Sequence, residues 1–419
     1  MSPPRHGGGG PPRRPLPPPR PLPSPRARAA PPPRRPDAAR AGTRRRSRAA
    51  RRRAAVLAAA AVVVALGAAA LAFALGRGAR PGPRTDHPAR PAPVHYSVGF
   101  ARCTFVDPSR STIDYATRTS TPGRRLVTEL RYPTLSGHGR GAETAGAAPA
   151  YGHGPFPTIV FAHGYGIDPV TYAALLDAWV RAGFVVVAPV FPDTSVAGLA
   201  AQHQDPNAET DVRTNQPADV AFVTDRVLGA SAGEAGCPLL HGLVDPSRLA
   251  LAGQSDGGET VAMLVYDRDP AYRALAHGFT YRAVAVLSGQ ENPLEPDDYG
   301  PATGDPALLV VQSETDTCNP PQNSVALYNA IDQPDRWFLA LAHATHLPPY
   351  DGSDAAGFRV VSSVTTRFFE LALGGSTPGA GFLAAGNRSP SVASLFTGPL
   401  PASVQDLNLN QRIATCYVR

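Results

Sequence analysis

Lysine is absent from this 419-residue chain, so all 40 of its Lys+Arg positions are arginine. Residues 1–53 carry 16 Arg against one acid, Asp37, for +15, whereas residues 94–419 carry 20 Arg against 31 acids, for −11. The basic sequence pI of ≈ 9.5 is therefore the property of a tail. The remainder is acidic, which speaks against a nucleic-acid-binding surface there. Internal repeats are also lacking, which excludes solenoid and propeller architectures. Cysteine is scarce, at four residues. No C-x-x-C or H-x-x-x-H spacing occurs among Cys103, Cys237, Cys318 and Cys416, so no metal centre is expected.

What is present falls into segments. Residues 1–53 are Pro, Arg, Gly and Ala with almost no large apolar side chain; they cannot bury a core and are expected to be disordered. Ala54 to Gly76 is 23 residues without a charge, flanked by Arg51-Arg52-Arg53 and Arg77. That length crosses a bilayer core of about 30 Å as a helix. The upstream arginines predict a signal-anchor with the N-terminus inside and the rest outside. Twelve of the 23 residues are Ala, and a cleaved signal sequence with a long basic leader is the alternative. Either way the remainder is expected outside the cytoplasm, at the cell membrane or secreted. Residues 77–93 (Pro/Arg/Gly-rich) read as a linker, and 94–419 as one domain with a C-terminal extension from about 375. In that compartment four cysteines predict two disulfides, of three possible pairings.

The fold class expected is α/β. Tyr96 to Val106 and Arg125 to Tyr132 alternate as antiparallel strands do. Thr158 to Ala162, Phe184 to Pro189, Leu249 to Gln254, Ala283 to Leu287, Leu308 to Gln312 and Trp337 to Leu341 are continuous apolar runs, the mark of strands buried on both faces. Helical stretches alternate with them at Pro169–Ala182, Pro217–Gly229, Asn323–Ile331 and Phe358–Leu373. The product is a mostly parallel central sheet covered by helices on both faces. Residues 193–214 read as a long polar connection. The acidic stretch 289–306 reads as a solvated loop rather than a Ca²⁺ site, because its spacing matches no EF-hand-like pattern. Residues 375–419 are expected to wrap the surface.

One stretch concentrates chemistry. Leu249-Ala250-Leu251-Ala252 runs into Gly253-Gln254-Ser255-Asp256-Gly257, a strand, a sharp turn and a helix with a hydroxyl at the apex, the G-x-S-x-G elbow. Small residues are needed there because strand and helix pass close to the turn. A serine needs a base to become a nucleophile, and the base needs a group that holds its tautomer. The acid is expected at Asp316, just past the strand ending at Gln312, with Glu314 in the same loop as runner-up. The base is expected at His346 rather than His343, beyond the strand ending at Leu341. The spacings, 316 − 255 = 61 and 346 − 316 = 30 residues, leave room for a strand–helix unit each. Oxyanion donors are expected from the backbone N–H groups of Asp256 and of Tyr165 in His163-Gly164-Tyr165-Gly166.

With these stretches in order, "VFAHGYG" (160–166), "GFVVVAPVFP" (183–192), "QPADVAFVTDRVL" (216–228), "LALAGQSDGG" (249–258), "VQSETDT" (311–317) and "HATHLPP" (343–349), the chain resembles the α/β-hydrolase superfamily. Within it, the look is that of dienelactone-hydrolase-like, platelet-activating-factor-acetylhydrolase-like and chlorophyllase-like esterases and of the cutinase/polyester-hydrolase group. "DPSR" (107–110) with "LRYP" (130–133) is similar to the opening strands of the acetylhydrolase-like branch. The resemblance spans roughly residues 94–375. It implies an α/β-hydrolase fold and a serine esterase that needs no cofactor, acting on a small-molecule or lipid ester. Three departures are visible. Asp256 stands where polyester hydrolases usually carry Met. Ser288-Gly289-Gln290 replaces their aromatic wall. Ser255 stands where the dienelactone hydrolases proper use Cys. A catalytically silent α/β-hydrolase serving as a membrane-tethered binding module is the alternative that the same fold allows.

Overall fold

The computed structural model describes residues 94–136, 143–289, 298–376 and 378–405. The chain divides into two units, Met1–Pro91 and Ala92–Arg419, and the second is described here. The tail, the apolar stretch and the linker expected within 1–93 lie outside the described residues, as do Cys416 and residues 290–297 of the acidic loop. Among the described residues no helix is long and apolar enough to cross a membrane.

Ten strands form one sheet: β1 (Ser97–Asp114), β2 (Thr119–Thr134), β3 (Thr144–Ala145), β4 (Phe156–Ala162), β5 (Val185–Val190), β6 (Val244–Gln254), β7 (Tyr281–Leu287), β8 (Ala307–Ser313), β9 (Arg336–Leu341) and β10 (Ala393–Thr397). Their spatial order is β10-β9-β8-β7-β6-β4-β5-β2-β1-β3. Strands β4 to β9 pair in parallel. β1 and β2 form an antiparallel hairpin at one edge, and β10 closes the other edge antiparallel to β9. The continuous apolar runs have the cause inferred for them: both faces are buried. Alternate residues of one strand enter opposite cores. Ile159 and Phe161 pack with Trp179, Phe368 and Phe369, while Val160 and Ala162 pack with Val220, Val223 and Met263. Helices Ala173–Arg181 and Ala355–Leu373 supply the first core. Gln216–Ala232, Asp256–Tyr266 and Pro321–Ala330 supply the second.

Three parts differ from expectation. The first hairpin is longer, reaching Asp114 and Thr119. Segment 193–214 is not a plain connection: it holds the short helical turns Val196–Ala201, Pro206–Thr210 and Asp211–Thr214. They are drawn inward because Arg124, fully buried on β2, binds Asp193 at 2.7 Å, Asp211 at 2.6 Å and Asp219 at 2.7 Å. The extension beyond 375 adds the helix Ala380–Gly386 and the edge strand β10 instead of merely wrapping. Asn387 holds that strand by exchanging two 2.9 Å bonds with the Leu395 backbone. Cys103 on β1 is disulfide-bonded to Cys237, after the helix Gln216–Ala232. Cys318 is disulfide-bonded as well.

Candidate active site

The site is assembled at the carboxyl ends of the parallel strands, where open α/β sheets gather their functional loops. Strand β6 ends at Gln254, Ser255 turns with φ 58° and ψ −130°, and the helix Asp256–Tyr266 begins at once. A positive φ at a residue with a Cβ is strained, and the neighbouring chain has to hold it. The glycines make that possible. A Cβ on Gly253 would overlap the Gly257 carbonyl, one on Gly257 would overlap the Ala162 carbonyl, and one on Gly258 would lie 2.6 Å from the Gly289 Cα. The elbow is thus wedged between β4, the end of β7 and its own helix. Ser255 N–H donates to the Leu287 carbonyl at 3.0 Å, which pins the turn to β7.

Two further loops converge on the Ser255 side chain. His346 Nε2 lies 2.9 Å from Ser255 Oγ, and His346 Nδ1 lies 2.8 Å from Asp316 Oδ2. With Asp316 an acceptor, the proton of a neutral imidazole sits on Nδ1 and Nε2 accepts from the hydroxyl. Asp316 is fully buried, while the His346 side chain keeps 18% exposure. The carboxylate's other oxygen accepts N–H bonds from Cys318 and Asn319, both at 2.9 Å. The acid loop is fixed to the base loop: Thr315 N–H and Oγ donate to the Ala344 carbonyl at 3.0 and 2.7 Å. Of the paired alternatives, it is Asp316 and not Glu314 that meets the imidazole. It is His346 and not His343 that meets the serine; His343 occupies an exposed turn at φ 58°.

The loop after β4 presses on the elbow, for a Cβ on Gly164 would come 2.9 Å from the Ser255 Cβ. His163 is fully buried beneath it, with Nδ1 2.8 Å from the Gly164 carbonyl and Nε2 accepting from Phe191 N–H at 3.0 Å. Burial lowers its pKa and keeps it neutral. Gly164 N–H donates to the Tyr172 hydroxyl at 3.2 Å and Gly166 N–H to the Thr194 carbonyl at 2.8 Å. Tyr165 lies between these two anchored glycines. Thr194 Oγ accepts from Gln216 at 2.7 Å, and Gln216 accepts from Thr260 on the elbow helix at 2.7 Å. Asp256 is buried in the first turn of that helix.

Several of these residues carry no sequence signal of their role. Tyr172, Gln254, Gln216, Thr194 and Asn319 are polar residues in apolar or mixed stretches, and only their buried partners give them meaning. Ser288, in the stretch that replaces an aromatic wall, is buried behind the acid loop. Its hydroxyl meets the Tyr350 hydroxyl at 2.8 Å and its carbonyl accepts from Asn319 at 2.6 Å. Asp316, Cys318 and His346 hold ligand-type atoms within 4.8 Å of one another. The Cys318 sulfur is oxidised and offers no thiolate, and the other two are hydrogen-bonded to each other.

No protein-family model matches this chain, and no curated protein matches it. Among solved structures it is similar to a ferulic acid esterase from Streptomyces cinnamoneus. The two share 19% sequence identity with a TM-score of 0.53, over 74% of this chain and 98% of that one. Strand order, elbow geometry and this likeness agree, and the chain has the α/β-hydrolase fold.

Proposed function

We propose that this protein is a serine esterase that cleaves carboxylic esters through an acyl-enzyme intermediate. The observation that carries the reading is the continuous relay from Ser255 Oγ through His346 to buried Asp316, at 2.9 and 2.8 Å. In the first half-reaction Ser255 Oγ attacks the ester carbonyl while His346 Nε2 takes its proton. Asp316 holds the ring by the Nδ1–H bond and offsets the imidazolium charge. The oxyanion is met by backbone N–H groups of Asp256 and Tyr165, the first at a helix N-terminus and the second in the loop that abuts Ser255. Collapse breaks the bond to the alcohol, which leaves with the proton from His346. Water then attacks the acyl-enzyme, gives a proton to His346, and releases the acid as the proton returns to Ser255. None of these steps calls for a cofactor.

The test is hydrolysis of a short-chain p-nitrophenyl ester and of ferulate esters by the wild type and by Ser255→Ala. A loss on the order of a millionfold is expected for a residue of a triad acting as one unit. Undiminished turnover by the variant sinks the assignment. The catalytic unit is further proposed to work outside the cytoplasm, tethered through residues 54–76. The Arg-flanked apolar stretch and the oxidised cysteines support this. Labelling of intact cells by a membrane-impermeant fluorophosphonate is the expected result; labelling only after lysis rejects it.

A further inference from the structure

Three hydrogen bonds join parts of the site that are distant in the chain. Gly164 N–H donates to the Tyr172 hydroxyl at 3.2 Å, and the Tyr172 hydroxyl donates to Gln254 Oε1 at 2.6 Å. Gln254 Nε2 donates to the His346 carbonyl at 3.3 Å and lies 3.4 Å from His346 Nε2. Tyr172 and Gln254 are both 0% exposed, so no water competes for these groups.

The directions are fixed by chemistry. Gly164 N–H can only donate, so the Tyr172 oxygen accepts from it and uses its single proton on Gln254. Burial raises the Tyr172 pKa above the ordinary phenol range and keeps that proton in place. The bond from Tyr172 then assigns the oxygen of the Gln254 amide, and its NH₂ has to face His346. The bond to the His346 carbonyl fixes where that backbone stands, and the amide nitrogen packs 3.4 Å from Nε2, whose one lone pair accepts from Ser255 Oγ. The Tyr172 ring is held independently, edge-on to Phe161 with centroids 4.9 Å apart.

We infer that Tyr172 and Gln254 are positioning residues that couple the loop bearing the Tyr165 N–H to the loop bearing His346, so that oxyanion site and base are set as one unit. This rests on the serine-esterase reading. Neither side chain is among the groups assigned to the reacting carbonyl: Tyr172 acts through the Gly164 backbone and Gln254 through the His346 backbone. A fully connected buried chain of this kind loses its function when any member is removed, because the remaining groups are left unsatisfied.

The test uses the full-length protein with Tyr172→Phe, Gln254→Met and the double variant, with active sites counted by fluorophosphonate titration. Tyr172→Phe keeps the ring and its packing. Each single variant is expected to lose roughly 10- to 100-fold in kcat per titrated site with KM changed less than about 3-fold, as misplacement of machinery does. The double variant is expected to lose no more than about the larger single loss, since both cut one chain. Unchanged kcat per titrated site with only a lower melting temperature overturns the proposal, as does multiplication of the two losses in the double variant. Ser255→Ala, run alongside, separates the two claims. Ser255-dependent turnover that is insensitive to Tyr172→Phe leaves the esterase reading standing and removes this one. Turnover independent of Ser255 removes both.

Discussion

The arginine at the centre of the hairpin wall offers the sharpest quantitative test of the fold. Arg124 is fully buried, and its guanidinium serves Asp193, Asp211 and Asp219 at 2.6–2.7 Å. Arg110, a further cation of the cluster, pairs with Asp219 at 2.8 Å and Asp107 at 2.7 Å and donates to the Asn215 carbonyl at 3.2 Å. Arg124→Met keeps the length and removes the charge, so Asp193 and Asp211 lose their cation. Breaking a buried pair in this way costs about 3–5 kcal/mol. The carboxyls can limit the cost by taking up protons. For Asp211, already at about 6 in the wild type against an ordinary value of 3.8, staying neutral at pH 7 costs about 1.4 kcal/mol more than in the wild type, at 1.36 kcal/mol per pKa unit. A loss of about 3–5 kcal/mol at pH 7 is expected, a large share of a typical 5–15 kcal/mol total. Between pH 7 and 5 the deficit is expected to shrink by about 1.4 kcal/mol for Asp211, which the wild type also protonates below about 6, and by about 2.7 kcal/mol for a carboxyl that is protonated in the variant alone. Urea unfolding at the two pH values measures both quantities. The chain has two Trp; Trp179 and Trp337 are both core residues, so their fluorescence reports on it. A loss below about 1 kcal/mol at pH 7, or a deficit equal at both pH values, refutes the reasoning.

Three further outcomes follow from the same structure. In the wild type the Asp211 carboxyl is pushed up to about 6, by burial and by the charge of Asp193 against the pull of Arg124. A folded value above the unfolded one means its contribution is fully present below about pH 4 and is lost as pH rises through about 6. The span is about 3 kcal/mol; Asp211→Asn should flatten stability over that window, and an unchanged decline in urea midpoints counts against it. Gly257→Ala puts a Cβ into the Ala162 carbonyl and should cost about 1–3 kcal/mol and lower kcat about 100-fold by displacing Ser255; wild-type kinetics would contradict the wedge described for the elbow. The Cys103–Cys237 bridge closes a sequence separation of 134 residues, worth about 5 kcal/mol in the chain-entropy picture. The Cys103→Ala/Cys237→Ala protein should unfold at markedly lower urea, and an unmoved midpoint rejects that estimate.

The strands of the parallel sheet were legible because a strand buried on both faces has to be apolar at every position, and that signal is local. Val185 to Val190 and Leu308 to Val311 declare themselves without knowledge of their neighbours. The elbow was legible for a related reason: glycine at 253 and 257 is demanded by close backbone approach, which leaves a mark in the sequence itself. Strand β10 was not legible. Its five residues are a short run set among Gly, Pro and Ser, and they become a strand because β9 presents an open edge and Asn387 clamps Leu395. The turns within 193–214 were hidden likewise, because the residue that draws them in, Arg124, lies on a strand some 70 positions earlier at Asp193 (193 − 124 = 69).

By itself, then, the sequence determined the fold class, the position of the elbow serine and two short loops, in which it favoured Asp316 over Glu314 and His346 over His343. Tertiary structure decided which members of those loops face one another. Asp316 and Glu314 are both carboxylates, and His343 and His346 both imidazoles, so composition could not separate them. Their distances to Ser255 depend on how the β8 and β9 loops are stitched through Thr315 and Ala344. The pairing of Cys103 with Cys237 and the Tyr172–Gln254 link were decided in the same way. Periodicity and backbone demand are written residue by residue along the chain. A hydrogen bond between buried side chains is a property of two distant positions and exists only once the sheet order has brought them together.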